Sequence, residues 1–326
     1  MKRLNSVLAF ALLIVGLESC LPTYARTLQQ VDSPTDLVPT TLADLQLDDS
    51  RRLELESALR RRDYKQAESV LVTEAEKDPK SSRSAKLLVI AGGIFFLDGQ
   101  YLNSAIAWKR SDAIAPLDER SRFTLAMAYI KLNRREWAQS ELEKLATTHP
   151  QDPLYLYWLA RLDYDEQRYT TAIVRLRKVV ELDPKMVRAY DSLGLCYEYL
   201  DKFGEAIKNY NKAVELNRLQ SKPSPWPHVD LAVTLITLNQ PVEAEQSLRE
   251  AIRYDAQLPQ AHYQLGQALK MQGRYGEAVD SLNAAIELST DYPEPHYLLS
   301  QIYHRLGKNE LAVAEIERFK QLKKSR

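Results

Sequence analysis

The side chains with the most capacity for chemistry are five histidines and two cysteines in a chain of 326 residues. His228, His262 and His296 stand 34 residues apart, a ladder that invites a metal-binding reading because imidazole is the commonest metal ligand. Zinc, however, needs all its ligands within about 2 Å of one ion. Equal spacing puts each imidazole in the equivalent slot of a separate structural unit, a helix pair from the next, so the three do not converge. A packing role between helices is expected, as for Tyr190 at the same slot one unit earlier. His149 precedes Pro150 and His304 neighbours Arg305, and neither has a nucleophile with an orienting partner. Cys196 lies beside Tyr197 and reads as a buried apolar thiol. If Cys20 is removed, no intramolecular disulfide remains. Gly92-Gly93 falls inside a helical pattern, where it allows close packing, and there is no phosphate-cradling loop, paired-cysteine motif or Gly-x-Ser-x-Gly elbow. No catalytic residue, cofactor or metal is expected, and the chain reads as non-enzymatic.

The elements that position these residues follow a fixed ruler. Ala138, Ala172 and Ala206 are 34 apart, as are Ala244, Ala278 and Ala312, and Pro116, Pro150 and Pro184 keep the same step. A period of this length marks a stacked-repeat architecture. Within one unit, Tyr190, Leu193, Gly194 and Tyr197 fall at i, i+3, i+4 and i+7, the spacing of a helical face. After Asp201 and Lys202, a second face runs through Phe203, Ala206, Ile207, Tyr210, Ala213 and Val214. Each unit is therefore two helices, which approach closely only where side chains are short, with Gly194 and Ala206 expected at the crossing. Gly99, Asn133, Asp201, Asn239, Gly273 and Gly307 fill the turn slot, with Gln167 as the exception. All but Gln167 are types that tolerate the left-handed conformation that ends many helices. The three prolines stop the second helices because they lack an N–H.

This pattern resembles the tetratricopeptide repeat family, whose signature places a large residue, Leu-Gly and Tyr before Ala, an aromatic, Ala and Pro. Tyr190, Leu193, Gly194, Tyr197, Ala206, Tyr210 and Ala213 match it in one unit, and His262, Leu265, Gly266, Ala278 and Ala285 in another. Eight copies anchored at Ala67, Ser104, Ala138, Ala172, Ala206, Ala244, Ala278 and Ala312 cover residues 49–326. Departures are local: Ser104 replaces alanine, Arg122 occupies a large apolar slot, and the first copy has a weak leading helix. The resemblance implies an all-α, right-handed α-solenoid of about eight helix pairs whose first helices line a concave surface. On that surface it places Phe123, Tyr157, Asp191, Val229, Tyr263 and Tyr297, and one turn further Met127, Arg161, Leu195, Val233, Gln267 and Gln301. Aromatic anchors of this kind favour contact with a protein or peptide partner, although the same tyrosines also suit gap-filling between first helices. Some relatives grip a terminal carboxylate through lysines and asparagines. Here only Arg161 suits such a clamp, so an extended peptide or a partner helix fits better.

Forty-four basic and 44 acidic residues leave no net field for nucleic acid. Lys2 and Arg3, an apolar run from Val7 to Leu17 and the sequence Thr23-Tyr24-Ala25 read as a secretory signal over residues 1–25. The run is too short to span a membrane, and no spanning helix is expected in the mature chain. A second reading attaches lipid at Cys20, because Leu17-Glu18-Ser19-Cys20 resembles a bacterial lipoprotein box, with Glu18 out of pattern. Either way the chain is exported, to the periplasm or to a lipid anchor in the envelope. Residues 26–48, with Pro34 and Pro39, read as an extended linker on which Leu42, Leu45 and Leu47 suit a turn docked on the first repeat. Pro223, Pro225 and Pro227 lengthen a joint near residues 218–227, and Trp226 is expected to fold back over it or to stand out as an anchor. The last helix has no polar cap after it, which leaves an apolar end for self-association or a partner. The expected function is a non-enzymatic scaffold that binds a peptide or protein and assists assembly of an envelope or secretion complex. The competing reading is an envelope glycan-binding or enzyme-associated adaptor.

Overall fold

A computed structural model describes residues 45–324. The proposed signal, Cys20, Leu42 and most of the linker lie outside the described residues. Sixteen α-helices and no strand occur among the described residues. They form two compact units that divide within α7, after Tyr155, not at the proline joint. The first contains α1 (Asp49–Arg61), α2 (Tyr64–Glu76), α3 (Ser82–Leu97), α4 (Tyr101–Asp112), α5 (Glu119–Lys131), α6 (Arg135–Thr148) and the start of α7 (Pro153–Asp165). The second continues with α8 (Tyr169–Leu182), α9 (Val187–Glu198), α10 (Phe203–Asn217), α11 (Trp226–Thr237) and α12 (Pro241–Tyr254). It ends with α13 (Pro259–Met271), α14 (Tyr275–Leu288), α15 (Pro293–Arg305) and α16 (Asn309–Lys324).

One turn is built eight times. Gly99, Gly273 and Gly307 take φ between 70° and 75°, and Arg62, Asn133, Gln167, Asp201 and Asn239 take φ between 54° and 61°. The next residue's N–H then reaches the carbonyl five residues back: Lys202 to Tyr197 at 2.9 Å, Gln240 to Leu235 at 2.8 Å, Arg274 to Leu269 at 3.0 Å. This bond satisfies a carbonyl that the helix end would leave orphaned. Arg62 is the first member of the series. Its side chain gives no turn signal, because the helix end, not residue preference, fixes the backbone there.

Helix pairs close on small residues. A Cβ added at Gly194 would sit 2.4 Å from the Tyr210 ring, at Gly92 2.8 Å from the Trp108 ring, and at Gly266 2.7 Å from Leu282. The short position in the first helix therefore receives a large side chain sixteen residues later, while Ala206 is fully buried near it. Within each unit successive helices pack in chain order, and first helices also meet one another: α3 with α5, and α9, α11, α13 and α15 in a row. Each unit is thus a solenoid segment, a core continued from pair to pair.

Leu45 is fully buried and Leu47 packs against the same cluster with Leu55, Leu71 and Leu88. The Leu45 carbonyl accepts from Arg83 Nε at 3.0 Å. Asp48 then caps α1 by accepting from the Arg51 N–H at 2.8 Å. Although α1 buries only Leu55 and Ala58, this docked segment completes its cover. At the proline joint, buried Asn217 clamps Ser224 through both backbone groups, at 2.7 and 2.9 Å. Trp226 opens α11 and is half-buried.

Candidate binding surface

The residues placed on the first-helix surface divide by burial. In the first unit Phe123 and Met127 are buried, and the Phe123 ring lies 5.7 Å from that of Tyr155. Both side chains are covered within the first unit. In the second unit Tyr157 and Arg161 on α7 are buried, Asp191, Leu195, Tyr263, Gln267 and Gln301 are half-buried, and Tyr297 is 47 % exposed. Val229 on α11 is buried too. The row of first helices therefore has a covered end at α7 and an open end at α13 and α15.

At the open end the Tyr263 ring meets Tyr292 edge-on at 5.4 Å and Tyr297 leans on Phe319 at 5.3 Å. Lys270 donates to Gln301 across neighbouring repeats. Burial, then the nearby Arg305 charge, lowers the Lys270 ammonium below its ordinary range. At the covered end, the Arg161 guanidinium lies 5.1 Å from the Tyr164 ring centre and the Arg188 guanidinium 4.7 Å from that of Tyr157. Tyr164 continues into an aromatic cluster in which Tyr169 and Tyr199 stack at 4.8 Å. Arg188, Tyr164 and Lys270 belong to the surface but are absent from the sequence-based set. Each sits three residues before or after a position in that set, so extending the count by one helical turn in each direction finds them.

The histidine ladder is occupied repeat by repeat. His228 Nδ1 meets Ser247 Oγ at 3.2 Å, His262 Nε2 meets the Ala256 carbonyl at 3.0 Å, and His296 Nδ1 meets Glu315 at 2.6 Å. Among the described residues no three His, Cys, Asp or Glu side chains gather where an ion would sit. Cys196 is fully buried, and that burial pushes its thiol up to about 12 despite the opposing influence of Arg161. It is therefore a thiol, not a reactive thiolate.

His228 makes an acid-sensitive point. It is 2 % exposed and its Nε2 has no hydrogen bond among the described residues. Burial, then the Arg218 charge, pushes its pKa down to about 4 from 6.5. The fold holds it neutral while the unfolded chain takes up a proton. Its contribution is therefore intact above about pH 6.5 and is lost as the pH falls toward 4, in total about 3 kcal/mol. His228→Gln, which can still meet Ser247, is expected to lose less stability than the parent between about pH 7.5 and pH 4.5 in urea melts. Identical losses in the two proteins would remove His228 as the cause.

Profiles described as TPR repeat and tetratricopeptide repeat match residues 268–307, 293–326 and 225–250, and one described as anaphase-promoting complex, cyclosome, subunit 3 matches 138–213. No curated protein sequence matches. Among solved structures, a tetratricopeptide repeat protein from Parabacteroides merdae is 16 % identical with a TM-score of 0.61, over 78 % of this chain and 98 % of its own. The Cut9-Hcn1 hetero-tetramer of APC/C gives 15 % and 0.57, over 80 % of this chain and 50 % of that one. PilW, a type IV pilus biogenesis factor, gives 17 % and 0.55, over 60 % and 90 %. At these identities the likeness is one of fold. With the period of 34, the eightfold turn, the small-on-large crossings and the matched profiles together, the chain belongs to the tetratricopeptide repeat family.

Proposed function

We propose that this chain is a non-enzymatic protein–protein interaction scaffold that seats an extended peptide or a partner helix on the first helices of its second unit. The observation that carries the reading is the unbroken contact from α9 through α11 and α13 to α15. It holds the half-buried and exposed side chains Asp191, Leu195, Tyr263, Gln267, Tyr297 and Gln301 on rigid, adjacent supports. Preorganised contacts of this kind lower the ordering cost of binding. The signal-like first 25 residues support work outside the cytoplasm, in the periplasm or at a lipid anchor on Cys20, and with it a part in assembly of an envelope or secretion complex. The mass of the mature N-terminus separates a chain starting at Arg26 from one acylated at Cys20.

The binding test offers the purified protein a display library of dodecamer peptides and, separately, insoluble envelope polysaccharide. Selected peptides should bind about tenfold more weakly to the variant Tyr297→Ala with Gln301→Ala, the loss of one moderate hot spot. Tyr297 is exposed and Gln301 half-buried, so the helical content of the variant should be unchanged. Retention on polysaccharide with no peptide selected overturns the reading in favour of the glycan-handling alternative, to which aromatic rows are also suited.

A further inference from the structure

Two neighbouring first helices carry the same short pattern. On α13 Tyr263 is followed by Gln267, and on α15, 34 residues later in each case, Tyr297 is followed by Gln301. Four residues apart on a helix, tyrosine and glutamine share one face, and α13 and α15 meet directly. Three of the four side chains are half-buried and Tyr297 is exposed. The result is a grid, with two phenol rings in one row and two carboxamides in the row beside it. The rings are propped, Tyr263 by Tyr292 and Tyr297 by Phe319. Lys270 donates to the Gln301 amide oxygen, which leaves the NH2 of that amide to donate. Arg305 stands near enough to Lys270 for its charge to be felt there. The carboxamide side of the grid is therefore rich in donors and positive, and it suits a ligand with unpaired acceptors.

We propose that this grid seats a proline-bearing segment of the bound partner in the polyproline II conformation, with apolar residues three apart on the tyrosines and the carbonyls between them accepting from the glutamines. This rests on the peptide-binding reading above and names the conformation and composition of the ligand at that surface's open end. Equivalent points on packed helices lie about 8–10 Å apart. A polyproline II chain returns to the same side every three residues, about 9 Å along its axis. A β-strand shows the same side every second residue, at roughly 6.6 or 13 Å, and misses the second ring. An α-helix comes back after seven residues, at about 10.5 Å, but its carbonyls are bonded within the helix and leave the glutamines nothing to hold. Polyproline II has no internal hydrogen bonds, and proline, lacking an N–H, offers only acceptors. Charge complementarity and spacing thus select the same occupant, a chain laid across the helices with its negative carbonyl oxygens toward the donor row.

The dodecamer library is the probe against the full chain, followed by titration of the selected peptides made synthetically. The parent should enrich prolines, most strongly at positions three apart. Moving those prolines to every second position at unchanged composition should weaken binding about tenfold, because one ring loses its partner. Putting proline at a central non-proline position should leave binding within about threefold, whereas a peptide bound as a helix loses about 100-fold. Gln301→Met removes the donor at similar size and should weaken proline-bearing peptides about 3- to 10-fold. Tyr297→Ala should cost at least about fivefold, while Tyr297→Phe keeps the ring and should stay within about twofold of the parent. Peptides selected without proline enrichment, or lost on central proline substitution, overturn the polyproline II site and leave the scaffold reading standing. No selected peptide overturns both. Full binding by both Gln301→Met and Tyr297→Ala also overturns the proposal, because the ligand then sits elsewhere.

Discussion

Gly194→Ala is expected to destabilise the second unit by about 3 kcal/mol, the upper part of the range for an overpacked core. The added methyl would lie 2.4, 2.5 and 2.7 Å from three carbons of the Tyr210 ring. That ring has little freedom to retreat. Tyr210 is fully buried, its hydroxyl donates to Glu198 at 2.8 Å, and Thr234 from the next repeat donates to the same carboxylate oxygen at 2.9 Å. A shift of the ring therefore disturbs a bond that joins two repeats. Gly93→Ala is the matched control, since nothing lies within 4 Å of its Cβ position. It should gain about 0.5–1 kcal/mol by shedding glycine's entropic cost in a helix.

The remedy is visible in the repeats themselves. At the same sixteen-residue spacing stand Ala126 with Leu142, Ala160 with Leu176 and Ala232 with Leu248, all buried, whereas Gly92 and Gly194 face Trp108 and Tyr210. Gly266 with Leu282 is the intermediate case. Alanine thus goes with leucine, and glycine with an aromatic ring. Gly194→Ala combined with Tyr210→Leu rebuilds the alanine–leucine pair and should recover about 2 kcal/mol of the loss, read as coupling in a double-mutant cycle of denaturant melts. Simple additivity of the two changes would show that the ring is not what Gly194 accommodates.

Much of the molecule is legible in its sequence. Period, helix pairs and turns are local properties, fixed by residues a few positions apart, and the turn series from Gly99 to Gly307 follows directly. Gln167 at φ 61° and Arg62 at φ 58° show tertiary structure overriding residue preference at the same site. The binding surface is less legible. Spacing on a helix says which residues share a face, but not how far the adjacent first helix covers them. Tyr157 and Tyr297 occupy equivalent positions, yet one is 1 % and the other 47 % exposed.

Arg122 carries the second large effect. It occupies the slot that Tyr190 fills two units later, where an apolar side chain would pack. Its guanidinium instead joins Asp112 and Glu141, whose side chains are 16 % and 5 % exposed, while Lys109 at 3.6 Å and Lys144 at 3.0 Å also approach Glu141. Removing one member of a buried network strands the others, at about 3–5 kcal/mol for a fully buried pair. Because the two lysines remain on Glu141, Arg122→Leu should cost less, about 2–3 kcal/mol. Burial works to raise the Asp112 carboxyl, but the Leu117 N–H, Lys109 and Arg122 together hold it below the usual carboxylate range. A lowered carboxyl stabilises the fold above its unfolded pKa and stops doing so as acid protonates it. The gap between parent and Arg122→Leu should therefore narrow as the pH drops below about 4. Arg122→Leu with Glu141→Leu replaces the central ion pair by two apolar side chains and should be more stable than Arg122→Leu alone. If the double variant falls by the sum of the two single losses, and the gap ignores pH, the network contributes packing and not charge.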